Sequence, residues 1–228
     1  MARIVHPSYI KQSIVDKVIA RRGRLHAFPA LDPTKTALVV VDLDTGTVTR
    51  VDDEIRAFVP QINELTQVLR EAGGTVAWVT TPISKASKRF QAIYGDQLAI
   101  MYEAEGVREG KARAVWHELE TKTDDIHAVK QSASAFSPGK CNLHEQLQAR
   151  GIESILIVGA VTNVCCEASA RDASELEYEV TLISDCMWGH KDGQHEATLA
   201  TFFRNYGDVR PCADAIKLIQ TQNSRDVL

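Results

Sequence analysis

Thr36-Ala-Leu-Val-Val-Val-Asp42 is a continuous apolar, largely β-branched run closed by a carboxylate. A strand with one wet face would alternate polar and apolar residues. This one does not, so both of its faces are expected to be buried. Working outward, residues 54–71 place Ile55, Phe58, Val59, Ile62, Leu65, Val68 and Leu69 at helical spacing. Gly73-Gly74 stops that helix, and Thr75-Val-Ala-Trp-Val-Thr80 reads as a second strand. The alternation continues with strands at 125–130, 154–159, 179–184 and near 208–210, and helices at 142–150, 164–177, 194–206 and 213–222. Residues 82–125, broken by Gly95, Gly106 and Gly110, are less regular. The pattern predicts a three-layer α/β/α fold with a mostly parallel central sheet of about six strands. With no repeat, low-complexity tract or linker, residues 34–228 are expected to form a single domain behind an N-terminal arm, 1–33.

The chain has 228 residues, enough for one sizeable core. It is 44% hydrophobic and 25% charged with a net charge of -4, which gives no electrostatic reason to expect nucleic acid as a partner. No apolar run has the length of a membrane span, so no membrane partner is expected either. Five cysteines, Cys141, Cys165, Cys166, Cys186 and Cys212, lack CxxC spacing and follow no secretory signal, which suggests a reduced, cytoplasmic setting. The arm is basic, with Asp16 as its only acid up to Leu31, and Ile10, Ile14, Val18 and Ile19 fall at helical spacing. A mitochondrial presequence has this look, but the low serine content favours an arm that packs on a neighbouring subunit.

In a doubly covered parallel sheet, ligands bind beyond the carboxyl ends of the strands. Strand one ends at Asp42, strand three at Lys130, and strand four leads into Val161-Thr-Asn-Val-Cys-Cys-Glu-Ala-Ser169. Taken singly, the Asp reads as a turn former, the Lys as a solvated charge and the cysteines as core. Together on one sheet edge they form a base, a cation and a thiol, the elements of a nucleophilic site. Cys165 falls in the first turn of a helix with Thr162 or Asn163 as N-cap, where the helix dipole favours a thiolate. Cys166 is turned by about 100° and is expected to pack beneath.

These residues sit in segments that resemble the isochorismatase-like cysteine hydrolases: "TALVVVDLDTG" (36–46, a partial match), "DIHAVKQSASAFSP" (125–138), "VGAVTNVCCEASARDASELEYEVTLISDC" (158–186) and "GHKDGQHEATL" (189–199). The resemblance spans roughly residues 34–218. It implies a catalytic triad of Asp42, Lys130 and Cys165, the cysteine being the one directly after Thr-Asn-Val. It also implies a cis peptide at Ala160-Val161 and an oxyanion hole from the Val161 and Cys165 amides. The implied activity is that of an amidohydrolase: a thioester forms, and ammonia or an amine leaves. A homo-oligomer, dimer or tetramer, and no cofactor are implied as well. Cys165 argues against the vinyl-ether-cleaving branch, which lacks this nucleophile. The metal-binding Asp-x-His of nicotinamidases is replaced here by Thr80-Thr-Pro-Ile-Ser84, so no metal is expected. His117, His127, His144, His190 and His195 lack ligand spacing and read as surface or packing residues.

One departure stands out. Where the family has Asp-x-Gln-Asn, this chain has Asp42-Leu-Asp44-Thr45. Asp44 either meets a donor on the substrate, such as a ureide NH2, or is a solvent-facing turn residue. The small-molecule substrate is therefore expected to be a ureido or carbamoyl compound first and a carboxamide second. Asn163, Phe136 and Trp188 complete the candidate substrate contacts. The competing reading is a non-catalytic binder or a redox sensor built on Cys165-Cys166, which would need neither Asp42 nor Lys130.

Overall fold

The computed structural model describes residues 10–51, 53–82, 86–104 and 112–223. After α1 (Gln12–Arg22) the chain runs through β1 (Thr36–Val41), α2 (Thr45–Val51), α3 (Asp53–Arg56), α4 (Val59–Glu71) and β2 (Thr75–Thr80). Two short helices, α5 (Lys88–Tyr94) and α6 (Asp96–Ala104), precede β3 (Ile126–Val129) and α7 (Leu143–Ala149). β4 (Ser154–Ala160) leads through a π-helical turn (Thr162–Cys166) into α8 (Glu167–Glu175). β5 (Glu179–Trp188), α9 (Asp192–Asn205), β6 (Asp208–Arg210) and α10 (Cys212–Asn223) complete the order. Of the stretches weighed above, residues 1–9 of the arm and 83–85 and 105–111 of the irregular segment lie outside the described residues.

The six strands form one sheet in the order β3-β2-β1-β4-β5-β6, and every pair is parallel. Every residue of β1 and β4 is buried, as continuous apolar runs require. Alternate side chains supply two cores. Val39, Val41, Ile155 and Ile157 pack on one face with Leu147, Ala170 and Phe202. Leu38, Val40, Leu156 and Val158 pack on the other with Ile62, Leu65 and Ile219. The three-layer α/β/α architecture is thus the one the alternation predicts.

Two local differences have physical causes. The helix expected over 54–71 is interrupted between α3 and α4, because Pro60 lacks an N–H and its ring would clash with the Arg56 carbonyl in a continuous helix. In the first turn of α4 neither problem arises. β5 runs beyond Ser184 to Trp188 by shifting register, so that Gly159 pairs with Met187 and Ala160 with Trp188. Asp185 is accommodated there by accepting the Cys212 amide at 2.7 Å. The arm lays part of its apolar stripe on its own chain: Val18 is buried and Ile10, Ile14 and Val15 pack on the core, while Ile19 stays exposed. Arg22 donates to the Phe203 carbonyl at the end of α9, and Arg210 of β6 donates back to the Phe28 carbonyl. Among the described residues no helix is long and apolar enough to cross a membrane.

Candidate active site

β1 and β4 are neighbours at the centre of the sheet, where the strand order turns from β3-β2-β1 to β4-β5-β6. In such sheets a crevice opens at this switch point. Val41 pairs with Gly159, so Asp42 leaves β1 beside Ala160, the last residue of β4. Gly159 has φ +123°, and a Cβ there would stand 2.1 Å from the Val41 carbonyl oxygen. The two main chains therefore touch at a point that only glycine permits. Asp42 itself takes φ +54°, a left-handed conformation that Asp tolerates better than most residues. The Ala160-Val161 peptide is cis.

The main chain of β2 fixes both neighbours. Val79 O accepts the Asp42 amide at 2.9 Å, and Thr80 O accepts the Lys130 amide at 3.0 Å. The Lys130 ammonium then donates to Asp42 Oδ2 at 2.8 Å, to the Ser132 carbonyl at 3.1 Å and to Cys165 Sγ at 3.3 Å. An ammonium has three N–H groups, and all three are used. Lys130 is 3% exposed and Asp42 5%, so this is a buried ion pair bound to a half-buried thiol. Asp42 Oδ1 is buried with no hydrogen-bond partner among the described residues, while its charge acts directly on the Cys165 thiol.

Burial raises the Asp42 carboxyl above the ordinary carboxylate range, although Lys130 beside it opposes the shift. Burial also pushes the Cys165 thiol up to about 12; Asp42 pushes the same way, and Lys130 offsets this only in part. Burial alone would lower Lys130, but Asp42 and Cys165 outweigh it and keep the ammonium charged above its ordinary range. Desolvation and the neighbouring carboxylate thus oppose the thiolate that a helix start would favour. With Asp42 ionised, the cluster holds one cation, one anion and the thiol proton of Cys165. Moving that proton from Cys165 to Asp42 leaves the buried charge count unchanged, which keeps the transfer inexpensive in a poorly solvated site.

The turn carrying the cysteines also differs from the sequence reading. Its start is π-helical, closed by Cys166 N to Val161 O at 3.2 Å, rather than an α-helical first turn. Neither Thr162 nor Asn163 caps it; the N-cap position is Val161, without a side-chain bond. Thr162 Oγ1 instead meets His195 Nδ1 at 2.9 Å, and Asn163 Oδ1 is buried without a partner among the described residues. The doublet is split as expected. Cys166 is fully buried in the core and Cys165 faces Lys130, an arrangement that gives a vicinal redox pair no support.

Other expected contacts fall elsewhere. Asp44 is fully buried and is neither solvent-facing nor open to a substrate. Its Oδ1 accepts the Thr47 amide at 2.9 Å, while Oδ2 accepts the Thr81 amide at 3.2 Å and the Thr81 hydroxyl at 2.9 Å. Asp44 thus caps α2 and staples it to the end of β2. Replacing Asp44 with alanine is expected to cost about 2 kcal/mol in urea denaturation, from a lost cap and unpaired buried groups. Its KM for any substrate should stay within about twofold; a large KM change at unaltered stability would restore the substrate-binding role. Phe136 is a core residue whose ring lies 5.9 Å from that of Tyr178. Trp188 is likewise buried, with its indole N–H donated to Glu54.

The structure adds groups that the sequence reading passed over. The Ser132 carbonyl holds Lys130, and a main-chain acceptor leaves no residue signature. Ser169 of α8 accepts the Ala135 amide at 2.9 Å and so ties the Lys130 loop to the cysteine-bearing segment. Among the described residues, no three His, Cys, Asp or Glu side chains are grouped to hold a metal.

An acid, a lysine and a cysteine at the switch point of a parallel α/β sheet place the molecule among the cysteine-hydrolase folds. A cysteine hydrolase from Pseudomonas syringae pv. phaseolicola superposes with a TM-score of 0.73 at 25% identity, over 87% of this chain and 98% of that one. The family model for the isochorismatase domain matches residues 36–214, and the chain belongs to the isochorismatase family. An isochorismatase family protein of Bacillus subtilis, itself uncharacterized, is 28% identical over 194 residues, covering 83% of this chain and 97% of that protein. A ureidoacrylate amidohydrolase of Agrobacterium fabrum is 29% identical over 184 residues, covering 68% of this chain and 76% of the relative.

Proposed function

We propose that this protein is a cysteine-dependent amidohydrolase that cleaves a C–N bond of a small ureido, carbamoyl or carboxamide compound. The observation that carries the reading is the Lys130 ammonium bound at once to Asp42 and to Cys165. Asp42 takes the thiol proton as Cys165 Sγ attacks the carbonyl carbon. The amides of Val161 and Cys165 receive the oxyanion of the tetrahedral intermediate. Asp42 returns the proton to the departing nitrogen, the C–N bond breaks, and a thioester remains on Cys165. Asp42 then draws a proton from water, whose oxygen attacks the thioester; the acid leaves and the thiol is regenerated. Lys130 has no N–H to spare for the substrate and acts as a fixed counter-charge throughout. With Asp44 occupied by Thr47 and Thr81, support for a ureide comes from the similarity to the Agrobacterium ureidoacrylate amidohydrolase.

The test is ammonia release across a panel of ureides and carboxamides, with intact-mass detection of an acyl adduct on Cys165. Activity without Cys165, or no turnover and no adduct with any compound, would end the proposal. The pH profile adds a second check. Activity needs one proton on the Asp42–Cys165 pair, so it should rise as Asp42 ionises, above the usual carboxylate range. On the alkaline side the proton is lost from the pair only near the raised thiol value of about 12. We therefore expect kcat/KM to show no alkaline fall below roughly pH 10. A fall near the ordinary thiol value would show that the cysteine is not held as a neutral thiol.

A further inference from the structure

The π-helical turn that presents Cys165 is bracketed by one helix. Thr162 opens the turn and Glu167 directly follows it. Thr162 Oγ1 lies 2.9 Å from His195 Nδ1, and Glu167 Oε2 accepts from Thr198 Oγ1 at 2.6 Å. His195 and Thr198 are three residues apart on α9 and so share a face. Thr162 and His195 are fully buried, and Thr198 is 3% exposed. Glu167 is also held by Arg171 at 2.6 Å, which fixes its carboxylate beside Thr198. Inside the turn no side chain caps the free amides, and a single π turn is a rarely adopted geometry. The turn is thus tied at both ends to the same rigid surface, with the nucleophile between the ties.

We propose that α9 is a splint for the nucleophile turn, with His195 and Thr198 as positioning residues that act on Cys165 through Thr162 and Glu167. The inference rests on the reading of Cys165 as the nucleophile. His195 touches no reacting atom in this scheme. It holds the Thr162 end of the turn, and Thr198 holds the Glu167 end. Together they set where the Cys165 sulfur stands relative to Lys130 and Asp42.

The experiment compares Thr162→Val and Thr198→Val, which remove one hydroxyl each at nearly constant shape, with Thr162→Ser, which keeps it. Three quantities are read: kcat and KM on the best amide of the panel, thermal midpoint, and the rate of Cys165 alkylation by iodoacetamide from peptide mapping. Cys141, half-buried and outside the turn, is the internal control for alkylation. Each valine variant should lower kcat by about 10- to 100-fold with KM within about twofold, the cost of a nucleophile misplaced by a fraction of an ångström to an ångström. Cys165 alkylation should slow by about tenfold while Cys141 is unchanged, and Thr162→Ser should restore both to within about threefold. Wild-type kcat and alkylation in both valine variants would overturn the splint. So would a loss in Thr162→Ser equal to that in Thr162→Val, since the hydroxyl would then not matter. If Thr162→Val does not fold, Thr198→Val at the other end of the turn carries the test alone. If the wild type hydrolyses nothing, alkylation decides by itself: slowed Cys165 supports the splint while the hydrolase reading fails, and unchanged Cys165 ends both.

Discussion

Replacing Cys165 with alanine is expected to reduce ammonia release by on the order of 10⁴-fold or more, leaving only what binding and the oxyanion donors contribute. The adjacent sulfur cannot substitute for it. Cys166 is turned into the core and fully buried, so its thiol has no path to a substrate. Cys166→Ala should therefore keep turnover within about threefold while losing about 1 kcal/mol of stability from the small cavity it leaves. The two variants form a matched pair, one functional and one structural, separated by a single position. Ammonia release and urea denaturation on both would check it. Full activity in Cys165→Ala would sink the mechanism, and a dead but stable Cys166→Ala would mean that the wrong sulfur was chosen.

Lys130→Met is expected to lower kcat by about 10²- to 10³-fold, as losses of a preorganised charge do. It should also cost about 3 kcal/mol or more in stability near neutral pH, because breaking a buried pair strands the other charge. The stranded group is Asp42, already raised by burial even with the ammonium beside it. Without Lys130 it rises further. A group raised in the folded state contributes its stability fully below its unfolded value, about pH 4, and loses it as pH climbs through the folded value. The variant should thus be least impaired at acid pH and progressively worse towards neutrality. Urea denaturation of the variant and wild type at pH 5 and pH 8 would read this directly. A loss of the same size at both pH values would show that Lys130 does not hold Asp42 in its charged form.

Much of this architecture can be read from Thr36–Asp42 and the strands like it, because a continuous apolar run has one stable placement, inside a sheet covered on both faces. The convergence of Asp42, Lys130 and Cys165 follows from that placement, since parallel strands deliver their last residues to one edge. What the pattern cannot show is which partner a polar residue takes. Asp44 looks like a second functional carboxylate until Thr47 and Thr81 are found around it, and Thr81 is 37 positions away. Phe136 and Trp188 follow strands as pocket residues would, yet both are core. Pro60 was visible in the sequence and breaks the helix that periodicity alone would draw through it. The ionisation of Cys165 is hidden from the sequence for a different reason. A helix start can be recognised in sequence, whereas burial and the nearness of Asp42 exist only in three dimensions.

The contact between Gly159 and Val41 acts as a ruler. Each strand delivers its reactive segment just past that point, so the spacing between the two strand ends is set by main chain against main chain, and the side-chain ties from α9 adjust only where the sulfur then stands. Drift in the surrounding core, or wholesale replacement of the loops that would select a substrate, leaves this spacing untouched. A scaffold measured in this way can change what it hydrolyses without relearning how.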